Sequence, residues 1–530
     1  MTSPDVTVVV AVYNTMPYLT ECLNSLVGQS IGLSRLEIVA VDDGSTDDSG
    51  TELDRFAEKY PDTVRVLHQA NSGGPAAPSN RALDLAAGRY VYFVGSDDFL
   101  GEEALERMVA CADENASDVV VGRMVGTNGR HVHQALYREN DPDVDLYDSA
   151  LPFTLANTKL FRRSLVEEHG LRFPEDLPVG SDQPFTVEAC VRARRISVIA
   201  DYTCYYAVKR GDASNITYRA DHLSRLRCTA AIMKHAAGLI EAGPKRDAVL
   251  RRHFIWELAK LVQDDFPSLD AAVQREICAG IGQLADAYFT EGVADSMDVK
   301  RRIRIALAGS GAVDELVLAI RSEAEHGAPP FHLEDGRAFA RYPGFRDERL
   351  GVPDRRYELV GEFVPGRLAA RTELLSVAWS GRGRSAALAL TVRVGVTGDT
   401  SAAVLGTVSG SMPVGADKAG ARRLPAGHEG APPPAAQTSS TDPDGQGTVL
   451  RAELPLRRRS GTLAARAYLE LAGTTYEIPL RTGDVPLPGP RRWYTGRYRV
   501  TPTTNPKGRL VVTSVPLSSV LRSRLKRKAS

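Results

Sequence analysis

The stretch Leu36-Glu-Ile-Val-Ala-Val-Asp-Asp-Gly-Ser-Thr-Asp-Asp48 decides the fold. An apolar strand ends abruptly in two carboxylates, Asp42 and Asp43, followed by Gly44 and a polar turn that opens a helix. Upstream, Val6-Thr-Val-Val-Val-Ala-Val-Tyr-Asn14 is a second buried strand, and it delivers Val12, Tyr13 and Asn14 to the same edge. In an open α/β sheet, ligands bind beyond the carboxyl ends of the strands. Carboxylates planted there can accept hydrogen bonds from a uracil ring or a ribose. Asp-Gly-Ser-Thr is also ordinary turn and capping chemistry, so this segment alone leaves both readings open.

Working outward, short apolar runs at 6–12, 36–41, 64–67, 90–94 and 119–121 alternate with helix-period segments. One such helix carries Tyr18, Cys22 and Leu26 on one face, with Asn14 or Thr15 as its cap; another covers 100–112. Residues 1–220 therefore predict an α/β domain built on a largely parallel sheet. From 221 to 330 the period becomes helical, with expected helices at 223–240, 247–262, 269–289 and 297–323. The stripe Leu250, Phe254, Leu258, Leu261 is packing rather than chemistry. Residues 340–530 read as β-sandwich modules, with strands expected at 357–364, 372–379, 386–394, 449–454, 463–471, 476–481 and 510–515. A Pro-, Ala- and Gly-rich interruption at 412–447 predicts a mobile loop.

Composition narrows the classes. The 530 residues carry 65 Lys plus Arg against 66 Asp plus Glu, so global charge names no partner, and nothing points to nucleic acid. The excess is local: from position 481 onward twelve Lys or Arg face Asp484 alone. Such an end can attract a phosphate-rich polymer or an anionic membrane surface, or be a solvated tail. No signal-peptide pattern and no run long enough to span a bilayer is present, and the six cysteines have irregular spacing. A cytoplasmic protein is expected, with peripheral attachment at the inner face of the membrane as an option.

A second strand-end carboxylate pair closes Tyr90-Val-Tyr-Phe-Val-Gly-Ser-Asp-Asp98. Hard divalent cations take oxygen ligands and bridge diphosphates, which makes Asp97 a candidate ligand for Mn²⁺ or Mg²⁺ with Ser96 beside it. A helix N-cap is the plain alternative. Between the pairs, Asn71-Ser-Gly-Gly74 forms a turn that lets backbone approach a ligand, and Arg81 follows. Later, Val179-Gly-Ser-Asp-Gln-Pro184 presents Asp182 as a general base or a helix cap, and Lys209-Arg210 offers phosphate-binding cations.

In this order the four motifs resemble family 2 glycosyltransferases of the GT-A fold, over residues 5–215. The resemblance implies an inverting transferase acting on a UDP-sugar, with UDP-GlcNAc a candidate. Asp42 and Asp43 would hold uridine, Asp97 and Mn²⁺ or Mg²⁺ the diphosphate, and Asp182 would deprotonate the acceptor hydroxyl. Val12, Tyr13, Asn14, Asn71, Arg81, Ser96 and Arg210 complete the implied donor site. The chain departs from the family where Gly95 replaces the first Asp of Asp-x-Asp, where Ser79-Asn80 replaces Arg-Asn, and where Ser181 replaces Glu before Asp182. The plan of GT-A domain, helical connector and β modules is similar to enzymes that glycosylate poly(ribitol phosphate) wall teichoic acid. That likeness implies an anionic glycopolymer acceptor and a homo-oligomer, a trimer. The departures keep a catalytically silent UDP-sugar- or glycan-binding protein as the alternative. A processive synthase fits poorly, because Arg492-Trp493 lies outside the catalytic domain with Gly489 in place of the usual Gln.

Overall fold

The computed structural model describes residues 4–211, 221–381, 387–399, 403–409, 422–424, 437–455, 460–493 and 497–519. It divides into two compact units, Met1–Gln263 with Leu269–Ala294, and Asp264–Ser268 with Asp295–Ser530.

The first unit is built on an eight-stranded sheet. Its strands are β1 (Val6–Val12), β2 (Leu36–Asp42), β3 (Val64–His68), β4 (Tyr90–Gly95), β5 (Phe99–Leu100), β6 (Val119–Thr127), β7 (Leu160–Arg162) and β8 (Ile196–Val208). Their spatial order is β3-β2-β1-β4-β7-β6-β8-β5. The first four are mutually parallel, in a register that sets Val12 beside Asp42 and Ala11 beside Gly95. Three carboxyl ends thus reach one edge. Strands β7 and β5 run antiparallel to their neighbours, so the sheet is mixed rather than largely parallel. The sequence reading missed β7, which is only three residues long, and β8, whose polar interruptions and register shift against β6 disguise it. Tyr205 and Tyr206, shortly before Lys209-Arg210, belong to β8.

The helices α1 (Tyr18–Val27), α2 (Ser49–Lys59), α3 (Ala76–Leu83), α4 (Ala104–Glu114), α5 (Arg163–Glu168) and α6 (Asp182–Arg192) complete the α/β part. Leu19, Cys22, Leu23 and Leu26 of α1, with Leu53 and Phe56 of α2, join the β1–β2 side chains in one buried core. No side chain caps α1; the Thr15 carbonyl accepts from Tyr18 and Leu19, and Asn14 turns elsewhere. Helices His222–Leu239, Pro244–Arg252 and Ala271–Tyr288 pack with this unit. The expected helix at 247–262 widens after Arg252 into a π-helix, His253–Leu258. The six cysteines are free thiols, five of them buried.

In the second unit, the expected helix at 297–323 is two, Val299–Gly309 and Val313–His326, interrupted at Gly311, whose φ is +73°. The β region follows as a four-stranded antiparallel sheet around Ala387–Val394 and Thr448–Pro455, a second antiparallel sheet centred on Gly461–Leu471, and a small mixed sheet. Residues 357–364 are not a strand. They form tight turns and the start of the helix Val364–Ala370, because Gly361 sits at φ +71° and Pro365 suits a first helical turn. Within 412–447, Gln437–Thr441 is an edge strand rather than loop; 412–421 and 425–436, like the basic end from 520, lie outside the described residues. No helix among the described residues is long and apolar enough to cross a membrane.

Candidate active site at the strand ends

Parallel pairing of β1 and β2 continues one step past Asp42, where the Asp43 N–H donates to the Val12 carbonyl at 2.8 Å. The chain then turns at Gly44, with φ +74°. A Cβ there would lie 2.7 Å from the backbone nitrogen of Asn71, so only glycine lets the two loops meet. Asn14 adopts φ +48° and locks the turn from the other side. Its Oδ1 accepts from the Thr46 N–H at 2.7 Å, while its own N–H donates to Ser45 Oγ at 3.1 Å. Tyr13 stands between these anchored residues and is 47% exposed, leaving an open ring face at the strand ends.

Both carboxylates of the first pair are buried and hydrogen-bonded. Asp42 accepts from the Ser45 N–H and from His68 Nδ1, each at 2.9 Å. Burial alone would raise its pKa, but these hydrogen bonds outweigh it and hold the carboxyl below the ordinary value. His68 shifts upward, chiefly through its bonds to Asp42 and Asp54. Asp43 accepts from Gln69 Nε2 at 2.6 Å and from both the N–H and the hydroxyl of Ser72. Asn71 donates to the Asp43 carbonyl at 3.1 Å. Arg81, exposed on α3, reaches Gln69 Oε1 at 3.1 Å and extends the same network outward.

At the end of β4 the four residues Gly95–Asp98 divide their work. The Ser96 hydroxyl is buried against Thr15 Oγ1 at 2.9 Å, tying β4 to the loop after β1. Asp98 faces inward and receives the Tyr205 hydroxyl and the Val208 N–H, both at 2.6 Å, with Arg130 at 3.4 Å. Burial, followed by repulsion from Asp97, pushes its pKa up to about 6. Asp98 therefore fastens β4 to β8. A Cβ at position 95 would sit 2.9 Å from Asp98 Oδ2 and 3.3 Å from the Tyr205 hydroxyl, so this anchor is built around glycine. Asp97 turns the other way and pairs with Arg210 Nε at 2.6 Å.

Asp182 arrives by aromatic packing. Phe185, one turn further along α6, stacks on Phe173 with centroids 4.4 Å apart and meets Phe93 of β4 and Phe161 of β7 edge-on. Asn80 clamps the segment before α6 by exchanging two 2.9 Å hydrogen bonds with the Phe173 backbone. Ser181 precedes α6 without a side-chain cap bond. Gln183 binds Arg252 and the buried His253 through its Oε1, joining α6 to the start of the π-helix. Burial raises the Asp182 pKa, although Arg252 and Lys159 pull the other way. Lys159 is itself buried and pushed down to about 8, and its Nζ donates to the Thr154 and Ala156 carbonyls. Among the described residues no side-chain donor hydrogen-bonds to Asp182, which leaves its carboxylate available to a ligand.

Strand ends and the segments after them thus carry Val12, Tyr13, Asn14, Asp42, Asp43, Asn71, Arg81, Ser96, Asp97 and Arg210 in hydrogen-bonded networks. Asp182 opens α6, the helix that packs on β4 and β7 through Phe185. His68, Gln69, Ser72, Asn80, Asp98, Tyr205, Gln183 and Arg252 were not singled out from sequence for the anchoring they perform. Ser72, Asn80, Asp98 and Gln183 lay inside the quoted motifs, which marked their place but not their partners. Among the described residues no three or more His, Cys, Asp or Glu side chains are grouped to hold a metal ion. The described residues thus offer no preformed protein cage, and an ion held by Asp97 would need its other ligands from phosphate oxygens and water.

A family model described as glycosyl transferase family 2 matches residues 7–170, and one described as the glycosyl transferase TarS linker domain matches 227–320. The chain is 44% identical over 214 residues to the poly(ribitol-phosphate) beta-glucosyltransferase of Bacillus spizizenii, covering 40% of this chain and 34% of that one. It thus spans about a third of that relative's length. A crystal structure of residues 1–349 of Staphylococcus aureus TarS in complex with UDP-GlcNAc matches 67% of this chain and 99% of its own, with TM-score 0.57 and 30% identity. The crystal structure of S. aureus TarS matches 97% of this chain and 85% of its own, with TM-score 0.62 and 22% identity, a likeness of fold that takes in the β region. The expected GT-A domain, helical stretch and C-terminal β region are all present, and the chain belongs to glycosyl transferase family 2.

Proposed function

We propose that this chain transfers a sugar from a UDP-sugar to a hydroxyl of a poly(ribitol phosphate)-like polymer, with inversion at the anomeric carbon. The observation that carries the reading is the gathering of polar groups at the ends of β1, β2 and β4, all inside the segment matched by the family model. Two relatives support the substrate class: one is named for poly(ribitol phosphate), the other is in complex with UDP-GlcNAc. The sugar is left between glucose and N-acetylglucosamine.

In this reading the exposed Tyr13 ring stacks on the base, and the Asp42–Asp43 turn offers acceptors to uridine. Arg210 binds the diphosphate. A Mn²⁺ or Mg²⁺ held by Asp97 and the donor's own phosphates would supply charge neutralisation for the departing diphosphate. Asp182 takes the acceptor hydroxyl proton as that oxygen forms its bond to the anomeric carbon. The bond from that carbon to the diphosphate oxygen breaks, and UDP leaves with the bonding pair. The raised Asp182 pKa suits a base better than an ordinary surface carboxylate.

The proposal extends to an anionic acceptor guided by the basic C-terminal stretch, to assembly into trimers, and to action in the cytoplasm at the inner face of the membrane. The primary test is UDP release from UDP-glucose and UDP-GlcNAc with poly(ribitol phosphate), with and without Mn²⁺. Turnover with one donor that needs the polymer is the expected result. UDP binding with no transfer from either donor would instead favour a glycan-binding role.

A further inference from the structure

The carboxylate assigned to the cation is already engaged by a cation of the protein. Arg210 Nε lies 2.6 Å from Asp97 Oδ2, and both side chains are only 14% exposed. The segment carrying Arg210 leans on Tyr18: the guanidinium sits 5.9 Å from its ring centroid, and the Gly211 N–H donates to its hydroxyl at 3.4 Å. The neighbours of Asp97 cannot take over its task. Gly95 has no side chain, Ser96 is buried against Thr15, and Asp98 is bound by Tyr205, Val208 and Arg130. One carboxylate thus faces two claimants, Arg210 and a divalent cation.

A shielded guanidinium–carboxylate pair forms charge-assisted hydrogen bonds stronger than those of an exposed pair. Its loss is tolerable when each partner gains an equivalent one. A nucleoside diphosphate offers that exchange, because its oxygens can accept from the guanidinium fork while they also chelate a cation. We propose that Arg210 is a charge-exchange residue that neutralises Asp97 when no diphosphate is bound and transfers to the diphosphate when a cation takes Asp97. Cation and nucleoside diphosphate are then admitted together, each raising the affinity of the other by the same factor. This rests on the nucleotide-site reading above, and it adds an order to the assembly of that site.

The test is calorimetric titration of the full chain with UDP, with and without Mn²⁺, for the wild type, Arg210→Met and Asp97→Asn, after circular dichroism has verified folding. Free Mn²⁺ is followed separately by electron paramagnetic resonance without nucleotide. In Arg210→Met, Asp97 loses its guanidinium partner: metal-free UDP weakens at least tenfold, the gain in UDP affinity on adding Mn²⁺ grows at least tenfold, and Mn²⁺ alone binds more tightly than to wild type. Asp97→Asn acts in the opposite sense. It releases Arg210, so metal-free UDP tightens several-fold and the Mn²⁺ gain largely disappears. If Arg210→Met weakens UDP equally with and without Mn²⁺, or Asp97→Asn weakens metal-free UDP, the exchange is overturned while the nucleotide site stands. A folded wild type that binds no UDP under either condition overturns both.

Discussion

Asp182→Asn separates chemistry from architecture. Helix α6 is held by Phe185 among Phe93, Phe161 and Phe173, and by Gln183 on Arg252, none of which the substitution touches. The Asp182 carboxyl has a pKa raised by burial. The folded state therefore holds that proton more tightly than the unfolded chain does. Its contribution to stability is present below the unfolded value and is lost as pH rises through the folded pKa. Above the folded pKa the ionised carboxylate is a net cost, and in that range Asp182→Asn melts at the wild-type temperature or above it. Removing a general base lowers turnover by about 10² to 10⁴, or roughly 3 to 5 kcal/mol at 1.36 kcal/mol per tenfold. UDP affinity stays within about twofold, on the order of 0.4 kcal/mol. The wild-type rate falls as pH drops through the raised Asp182 pKa. Arg252→Gln removes a charge that pulls this pKa down, so its acid limb lies at higher pH. The assay is continuous UDP release against pH beside a thermal melt. Turnover above a tenth of wild type in Asp182→Asn, or a fall in UDP affinity matching the fall in rate, would refute the assignment.

Three further outcomes follow from the anchors. Gly44→Ala combines a left-handed φ with a Cβ 2.7 Å from Asn71 N, and should cost at least about 2 kcal/mol in urea unfolding and weaken UDP binding. Tyr205→Phe removes the donor to Asp98 and an acceptor for the Gly95 N–H, and should cost about 1.5 to 3 kcal/mol by the same measurement. Lys159 titrates near 8 when folded and near 10.5 when unfolded, so the unfolded chain binds more protons across that window and stability rises with pH. Lys159→Met should lack that rise, on the order of 3 kcal/mol at full titration, when unfolding is followed between pH 7 and 10.

Much of the first unit was legible because period and punctuation coincide. The runs at 6–12, 36–41 and 90–94 are apolar on both faces and stop at polar turns, and the observed strands match them to within a residue. The second unit was harder, because Gly361 and Pro365 redirect a run of β-formers into turns and a helix. The site shows a different limit. Asp97 and Asp98 are indistinguishable in sequence, yet alternation along the chain sends one inward to Tyr205 and the other outward to Arg210. Their division depends on β8, a strand more than a hundred residues away that the local pattern hid.

The same strand supplies a physical reason for the departure at position 95. Tyr205 brings its hydroxyl within 3.1 Å of the Gly95 N–H while donating to Asp98, and a side chain at 95 would meet both. A carboxylate there would have to displace a buried, hydrogen-bonded tyrosine before it could reach a ligand. The glycine is thus coupled to its surroundings, and Gly95→Asp alone should not rebuild an Asp-x-Asp site. It should destabilise the fold by crowding Asp98, in a way that Tyr205→Phe partly relieves. A double-mutant cycle in urea with no coupling between 95 and 205 would show that the two positions vary independently.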